Sequence, residues 1–302
     1  MALKLIKNKI ITTQKTGKVT KAMEAVSAVK MRKSQERALV GKAYAQSAVR
    51  ILERISRSQD SERFFTSEKK GGKECYVVIT SDKGLAGSLN SAVLKEASMV
   101  LAGKQKEGIR IIAFGRKAHE FFLREGYSID KEYTNVSDEV SLSDMQEVRE
   151  IISKKFEGGE YSSVSVVFQN FVSTFEQHPL LRQVLPLEKE ALGAMVRDIA
   201  PKNKGVIGED EVSFGEHVYT VEPSAEEVMH VLIPQLVQVM LYHALLENKA
   251  SEHSARMVAM KNATDKAKEI TKMLTIKFNK ARQAAITAEV SEITGGIEAM
   301  KS

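Results

Sequence analysis

LKLIKNKIITTQKTGKVTKAMEAVSAVKMRKSQERALVGKAYAQSAVRILERIS, residues Leu3 to Ser56, contains no proline and sets Val19, Met23 and Val26, then Val40, Tyr44, Ala48, Ile51 and Ile55, at steps of three and four. That spacing predicts one continuous amphipathic helix. At about 1.5 Å per residue it spans on the order of 80 Å, too far to be wrapped inside a globular domain. The other end of the chain repeats the pattern. Between Ala225 and Met300, Val228, Leu232, Leu236, Val239, His243 and Leu246, and later Ala267, Ile270, Leu274, Phe278, Ala281, Ala285 and Ala288, form a second narrow stripe. Its helix would span on the order of 110 Å. Stripes this narrow suit a helix-pairing seam better than the face of a globular core. The two chain ends are therefore expected to pair as an antiparallel coiled coil, with Ala281, Ala285 and Ala288 letting the partner backbone approach. Two independent surface helices are the plainer alternative.

The boundaries agree. Pro223 precedes Ser224, and Glu227 stands three positions further on, the pattern of a helix N-cap with a capping box. Pro234 then falls inside the second helix, at a cost of about 3 kcal/mol unless a bend absorbs it. Gly17 weakens the first helix by about 1 kcal/mol relative to alanine. Between the helices, strands expected at Cys75–Thr80, Ile109–Phe114 and Ser163–Gln169 alternate with helices at Ser88–Ala102, Arg116–Glu125 and Leu142–Phe156. This alternation implies a mostly parallel sheet covered by helices. The expected class is α/β: a long antiparallel coiled coil of the N- and C-terminal helices plus a central Rossmann-like domain, divided at 1–57, 58–224 and 225–302.

No catalytic, cofactor or metal site assembles from the motifs. GLAGSLN, Gly84 to Asn90, follows the first strand where a dinucleotide fold would hold phosphate, yet it lacks the third glycine of GxGxxG, and no Walker loop is present. Gly84 and Gly87 are better explained by a tight turn and close helix–sheet packing. The six histidines fall singly, without metal-ligand spacing. Glu188–Glu190 and Glu209–Glu211 suit solvated loops. The lone cysteine, Cys75, is expected to be a small buried residue in a reducing compartment. No apolar run is long enough to span a membrane, and the opening MALKLIKNKI lacks the apolar core of a secretory signal.

Charge is uneven. Residues 1–57 hold 14 Lys or Arg against three acids, whereas residues 58–224 hold 21 against 27. Arg256 to Arg282 adds eight basic residues against Asp265 and Glu269. Pairing two basic helices is repulsive unless something acidic surrounds them, so an acidic partner is expected. Nucleic acid is one candidate, disfavoured by an aromatic content of only 6%.

Four stretches then name a family. QKTGKVTKAMEAVSAVKMRKSQ (Gln14–Gln35), ITSDKGLAGSLN (Ile79–Asn90), ENKASEHSARMVAMKNATD (Glu247–Asp265) and FNKARQAAITAEVSEITGG (Phe278–Gly296) resemble the gamma subunits of F-type ATP synthases, and the resemblance runs essentially end to end. It implies a rotor shaft, not catalytic by itself, that couples ion-driven turning of a membrane c-ring to ATP synthesis or hydrolysis at alpha and beta subunits. The implied partners are three alpha and three beta subunits, an epsilon subunit and the c-ring, with no nucleic acid and no direct insertion into the membrane. The implied location is peripheral, on the cytoplasmic face of a bacterial plasma membrane.

The resemblance also implies site residues. Lys21 and Met23 match the shaft position that meets an acidic lever of beta. Arg282, Gln283, Thr287 and Glu289 match positions contacting beta loops near the upper shaft. Tyr219 and Glu222 match the foot that meets the polar loops of the c-ring. Ala86 and Ser88 depart from the GLCGGLN frequent in the family, so a role for that cysteine is not carried over.

Overall fold

A computed structural model describes residues 2–55, 71–187 and 224–300. The Glu-rich patches, Tyr219 and Glu222 lie outside them, as do the side chains of Val40 to Ile55. The chain divides into two compact units, one of residues 1–28 with 256–302, the other of residues 29–255.

In the second unit, β1 (Lys73–Ile79), β2 (Ile109–Phe114), β3 (Ile129–Tyr133), β4 (Tyr161–Phe171) and β5 (Gln177–Leu185) form one sheet in the order β3-β2-β1-β4-β5. The first four strands run parallel and β5 pairs antiparallel with β4. β3 and β5, the edge strands, are not among the strands expected from the sequence. β3, IDKEY, has no apolar run, and β5 carries Pro179 and Arg182, as befits strands with an unpaired side.

Helices α2 (Leu89–Leu101) and α3 (Arg116–Arg124) cover one face of the sheet, burying Val93, Ala97, Leu101, Ala118 and Phe122 against Val78, Ile111 and Ala113. The other face packs against α4 (Gln146–Glu157) and the long C-terminal helix α5 (Ala225–Ala299). The helix expected at Leu142–Phe156 begins instead as a 3-10 turn, Leu142–Met145, stopped by a capping box in which Ser141 and Asp144 satisfy each other's backbone N–H groups. Cys75 is fully buried, and burial pushes its thiol up to about 12, an unreactive group at neutral pH.

α1 (Ala2–Ile55) and α5 are continuous, and α5 runs through Pro234. Ser224 caps α5 through a hydrogen bond from Glu227 N to its Oγ at 3.2 Å. In the first unit the two helices pair, but through a different stripe of α1 from the one expected. Val19 and Val26 are 58% and 55% exposed, whereas Thr20 and Ser27 are buried. Together with half-buried Leu3, Ile6, Ile10, Thr13, Gly17 and Glu24, the buried residues up to Ser27 lie at alternating steps of three and four, the heptad spacing of a coiled coil. On α5 the seam follows the expectation at Ala267, Ile270, Leu274, Phe278, Ala281 and Ala285, and ends before Ala288, which is exposed.

Small residues explain the correction. A Cβ on Gly17 would lie 3.4 Å from Ala267 Cβ, so the backbones approach closely where a valine would hold them apart. Gly17 is therefore a contact residue as well as a weak helix former. At the same level Thr20 and Thr264 share a hydrogen bond of 2.7 Å. Each hydroxyl also has a carbonyl of its own helix within reach, Gly17 for Thr20 at 3.1 Å and Met260 for Thr264 at 2.8 Å.

Candidate functional site

In an open α/β sheet a ligand would sit beyond the carboxyl ends of the strands, at the point where strand order reverses, here between β1 and β4. The polar groups of that region already serve the fold. Thr80 Oγ1 accepts from Ala118 N at 2.9 Å and Asp82 Oδ1 from Arg116 N at 3.0 Å, so the first N–H groups of α3 are held by the chain itself. In the GLAGSLN turn, Asn90 Oδ1 accepts from Ser81 N at 2.9 Å, and Ser81 Oγ donates to the Lys83 carbonyl at 2.6 Å.

α5 closes what remains. Asn248 Oδ1 accepts from Gln169 N at 3.1 Å, Ser251 Oγ donates to the Gln169 carbonyl at 3.2 Å, and Leu245, Lys249 and Glu252 reach the ends of β1 and β2. The cavity left beside them measures about 10 Å³, room for one water and not for a nucleotide. The glycine reading holds in part: Gly87 is in the left-handed region (φ 58°), as a tight turn demands, but a Cβ on Gly84 or Gly87 would meet nothing within 4 Å. Close packing falls instead at Gly115 (φ 87°), where a Cβ would stand 2.4 Å from the Thr80 carbonyl oxygen.

The surface of the paired helices offers more. Residues 1–28 and 256–302 together hold 15 Lys or Arg against six acids. Exposed pairs join Lys268 to Asp265 and Lys266 to Glu269, and exposed Lys21 pairs with half-buried Glu24. Each is worth at most about 1 kcal/mol. The Thr20–Thr264 and Gly17–Ala267 contacts fix one antiparallel register, which sets Ala2 opposite Arg282. Beyond that point no described residue of α1 lies beside α5. There Ile286, Val290, Ile293, Ile297 and Met300 stand exposed at steps of four, three, four and three. This is a second stripe, turned about a third of a turn around α5 from the one α1 fills, and no described residue covers it. Ala288, expected in the pairing seam, lies on roughly the opposite side of α5 from this stripe.

The expected site residues fall at two levels. Lys21 is exposed and Met23 half-buried on α1, while Arg282, Gln283, Thr287 and Glu289 are exposed on α5. The register places Met23 opposite Lys261, about 30 Å along the axis from Arg282. The two groups therefore lie at separate levels of the helix pair. Thr287 spends its hydroxyl within the helix, donating to the Gln283 carbonyl at 3.0 Å, which leaves its methyl and the other three side chains facing outward. Among the described residues no helix is long and apolar enough to cross a membrane.

Comparison with known proteins gives consistent results. The family model described as ATP synthase matches residues 2–300. The chain is 36% identical over 301 residues to an ATP synthase gamma chain of Pelotomaculum thermopropionicum, covering 99% of each, and 37% identical over 302 residues to that of a Roseiflexus species, covering 98% of this chain and 97% of the relative. Its fold is similar to a chain in the Euglena gracilis mitochondrial ATP synthase, OSCP/F1/c-ring, with TM-score 0.65 at 20% identity over 99% of this chain and 94% of that one. A chain of the Tetrahymena thermophila central stalk and c-ring gives TM-score 0.58 at 22% identity over 81% and 99%.

Proposed function

The chain belongs to the ATP synthase gamma-chain family, and we propose from that membership and from its surface that it is the central rotor shaft of such a complex. On this reading the chain is catalytically silent, and couples ion-driven rotation of a c-ring to ATP synthesis or hydrolysis on alpha and beta subunits. Its functional segments are 1–57, 58–224 and 225–302, and its place is the cytoplasmic face of a bacterial plasma membrane, reached through partners. The carrying observation is the stripe from Ile286 to Met300: five exposed apolar residues in heptad spacing need a surrounding surface that is apolar where the stripe touches it, while the basic residues that end at Arg282 need acidic groups around the paired helices. Three alpha and three beta subunits would supply that sleeve, and the epsilon subunit and c-ring would engage the sheet unit.

Lys21 and Met23 are assigned to an acidic lever of beta, Arg282, Gln283, Thr287 and Glu289 to beta loops, and Tyr219 and Glu222, outside the described residues, to the c-ring. Reversing a two-state site from 1:99 to 99:1 takes about 5.5 kcal/mol, far more than the 0 to about 1 kcal/mol of an exposed ion pair. Torque must therefore act through many contacts at once. Met23→Ala or Arg282→Ala is expected to lower coupling less than tenfold; loss of rotation from either alone would contradict distributed contact. Tagged chain should co-purify alpha, beta and epsilon subunits at three, three and one per copy. Recovery alone, from cells expressing all of them, overturns the reading.

A further inference from the structure

Within the sheet unit the two helices are held by different means. α5 buries Leu236, Val237, Met240, Leu241, Ala244 and Leu245 in the apolar core, and no α1 residue belongs to that core among the described residues. α1 buries Met31 and Ser34 and is further held by polar contacts to the segment between β3 and α4. Lys30 Nζ lies 2.6 Å from Asp138 Oδ2, Arg37 donates to the Asp138 carbonyl at 2.8 Å, and its guanidinium stands 3.6 Å from Glu139.

The same segment grips α5 from its other side. Lys249 donates to the Val136 carbonyl at 2.8 Å, His253 Nε2 lies 3.1 Å from Asp138 Oδ1, and Gln238 donates to the Leu142 carbonyl at 2.7 Å. Tyr242 adds a bond to the Val140 carbonyl at 3.3 Å. Gln238, Tyr242, Lys249 and His253 recur at steps of four, seven and four, one face of the helix. Lys30 and Arg37, seven apart, do the same on α1. The His253 hydrogen bond, then those of Lys30 and Lys249, hold the Asp138 carboxyl well below the usual carboxylate range, so it is an anion throughout the physiological range.

We propose that the strap from Asn135 to Met145, closed on Asp138, is the element that fixes α1 rotationally to the sheet unit, so that torsion applied to that unit enters both helices together. Without it, α1 keeps only the burial of Met31 and Ser34 in that unit, and torsion enters chiefly through α5. Asp138 is a positioning residue, acting through Lys30, Arg37, Lys249 and His253. The torque role rests on the shaft reading; the attachment itself does not.

The test uses the full chain with spin labels on Lys33→Cys and Glu107→Cys, and a control pair on Glu107→Cys and Lys154→Cys within the sheet unit. All three positions are exposed, and buried Cys75 stays unlabelled. Asp138→Ala is expected to broaden the Lys33–Glu107 distance distribution at least twofold and leave the control unchanged. Lys30→Ala with Arg37→Ala should reproduce this effect without removing any buried charge, and so guards against misfolding of the first variant. An unchanged distribution in the double variant, or equal broadening of both pairs, overturns the strap. In membranes carrying the assembled complex, the double variant is expected to reduce ATP synthesis two- to fivefold. Broadened distances with unaltered synthesis would overturn the torque role alone, and failure of the wild-type chain to support synthesis would overturn the shaft reading while leaving the distance result to decide the strap.

Discussion

Along the single helix α5, residues 236–254 are buried on nearly every side, residues 256–285 on one stripe, and residues 286–297 on none. Local backbone structure is the same throughout, so burial and not helicity separates the part that holds the sheet unit together from the part left for partners. The first stretch behaves as a core helix, apolar nearly all round where it meets the sheet. Its last turns exchange apolar contact for polar bonds to β4 and the strap. The final stretch has the pattern of a seam and, among the described residues, no companion. Stability should therefore respond to substitutions in the first stretch, and function to those in the last.

The largest effect is expected at Leu241, 1% exposed in the core: Leu241→Ala should destabilise the chain by about 2–5 kcal/mol in a denaturant melt. A value below about 1 kcal/mol would remove the distinction between the two stretches.

Next comes pH. Burial, and then the Arg182 cation, lower the pKa of His243 to about 4, while Glu247 Oε1 lies 3.3 Å from its Nδ1. The folded chain keeps this ring neutral and the unfolded chain protonates it near 6.5, so its contribution is complete above 6.5 and is lost as pH falls toward 4. The loss is about 3 kcal/mol at most. Asp138, depressed instead, contributes above the unfolded carboxylate range and gives way only at lower pH. Melts across pH should show two separate windows, and His243→Gln should erase its share of the upper one only.

In the seam, Thr20→Val leaves the Thr264 hydroxyl its bond to Met260 but removes one neighbour, a cost of about 1 kcal/mol, and adding Thr264→Val should recover most of it. Additive losses in the cycle would deny the pair. The smallest effect on stability, within about 0.5 kcal/mol, is expected from Ile293→Ser in the exposed stretch. That variant should instead weaken co-purification with alpha and beta, measured by subunit yield.

Sequence alone disclosed the long helices, the parallel strands and the capped start of α5, because each depends on local spacing or a local cap. The seam of α1 was misplaced because the reading favoured the largest apolar side chains. Where Gly17 and Thr20 bring two backbones together, small residues define the contact and Val19 and Val26 turn outward. The edge strands β3 and β5 were hidden by their charges and proline. The strap could not be foreseen, since nothing local to Asp138 announces Lys30, Lys249 and His253, residues more than one hundred positions away in either direction. Of the candidate site, the individual residues came from family resemblance. The stripe from Ile286 to Met300 is present in the spacing, but only its exposure in the structure separates it from a buried seam.

The most direct measurement is rotation itself. A probe fixed to Lys106→Cys, an exposed position on the sheet unit, in a complex immobilised through its beta subunits, should turn in one direction when ATP is supplied and stop when it is removed. A complex that hydrolyses ATP at full rate while the probe stands still would contradict the shaft.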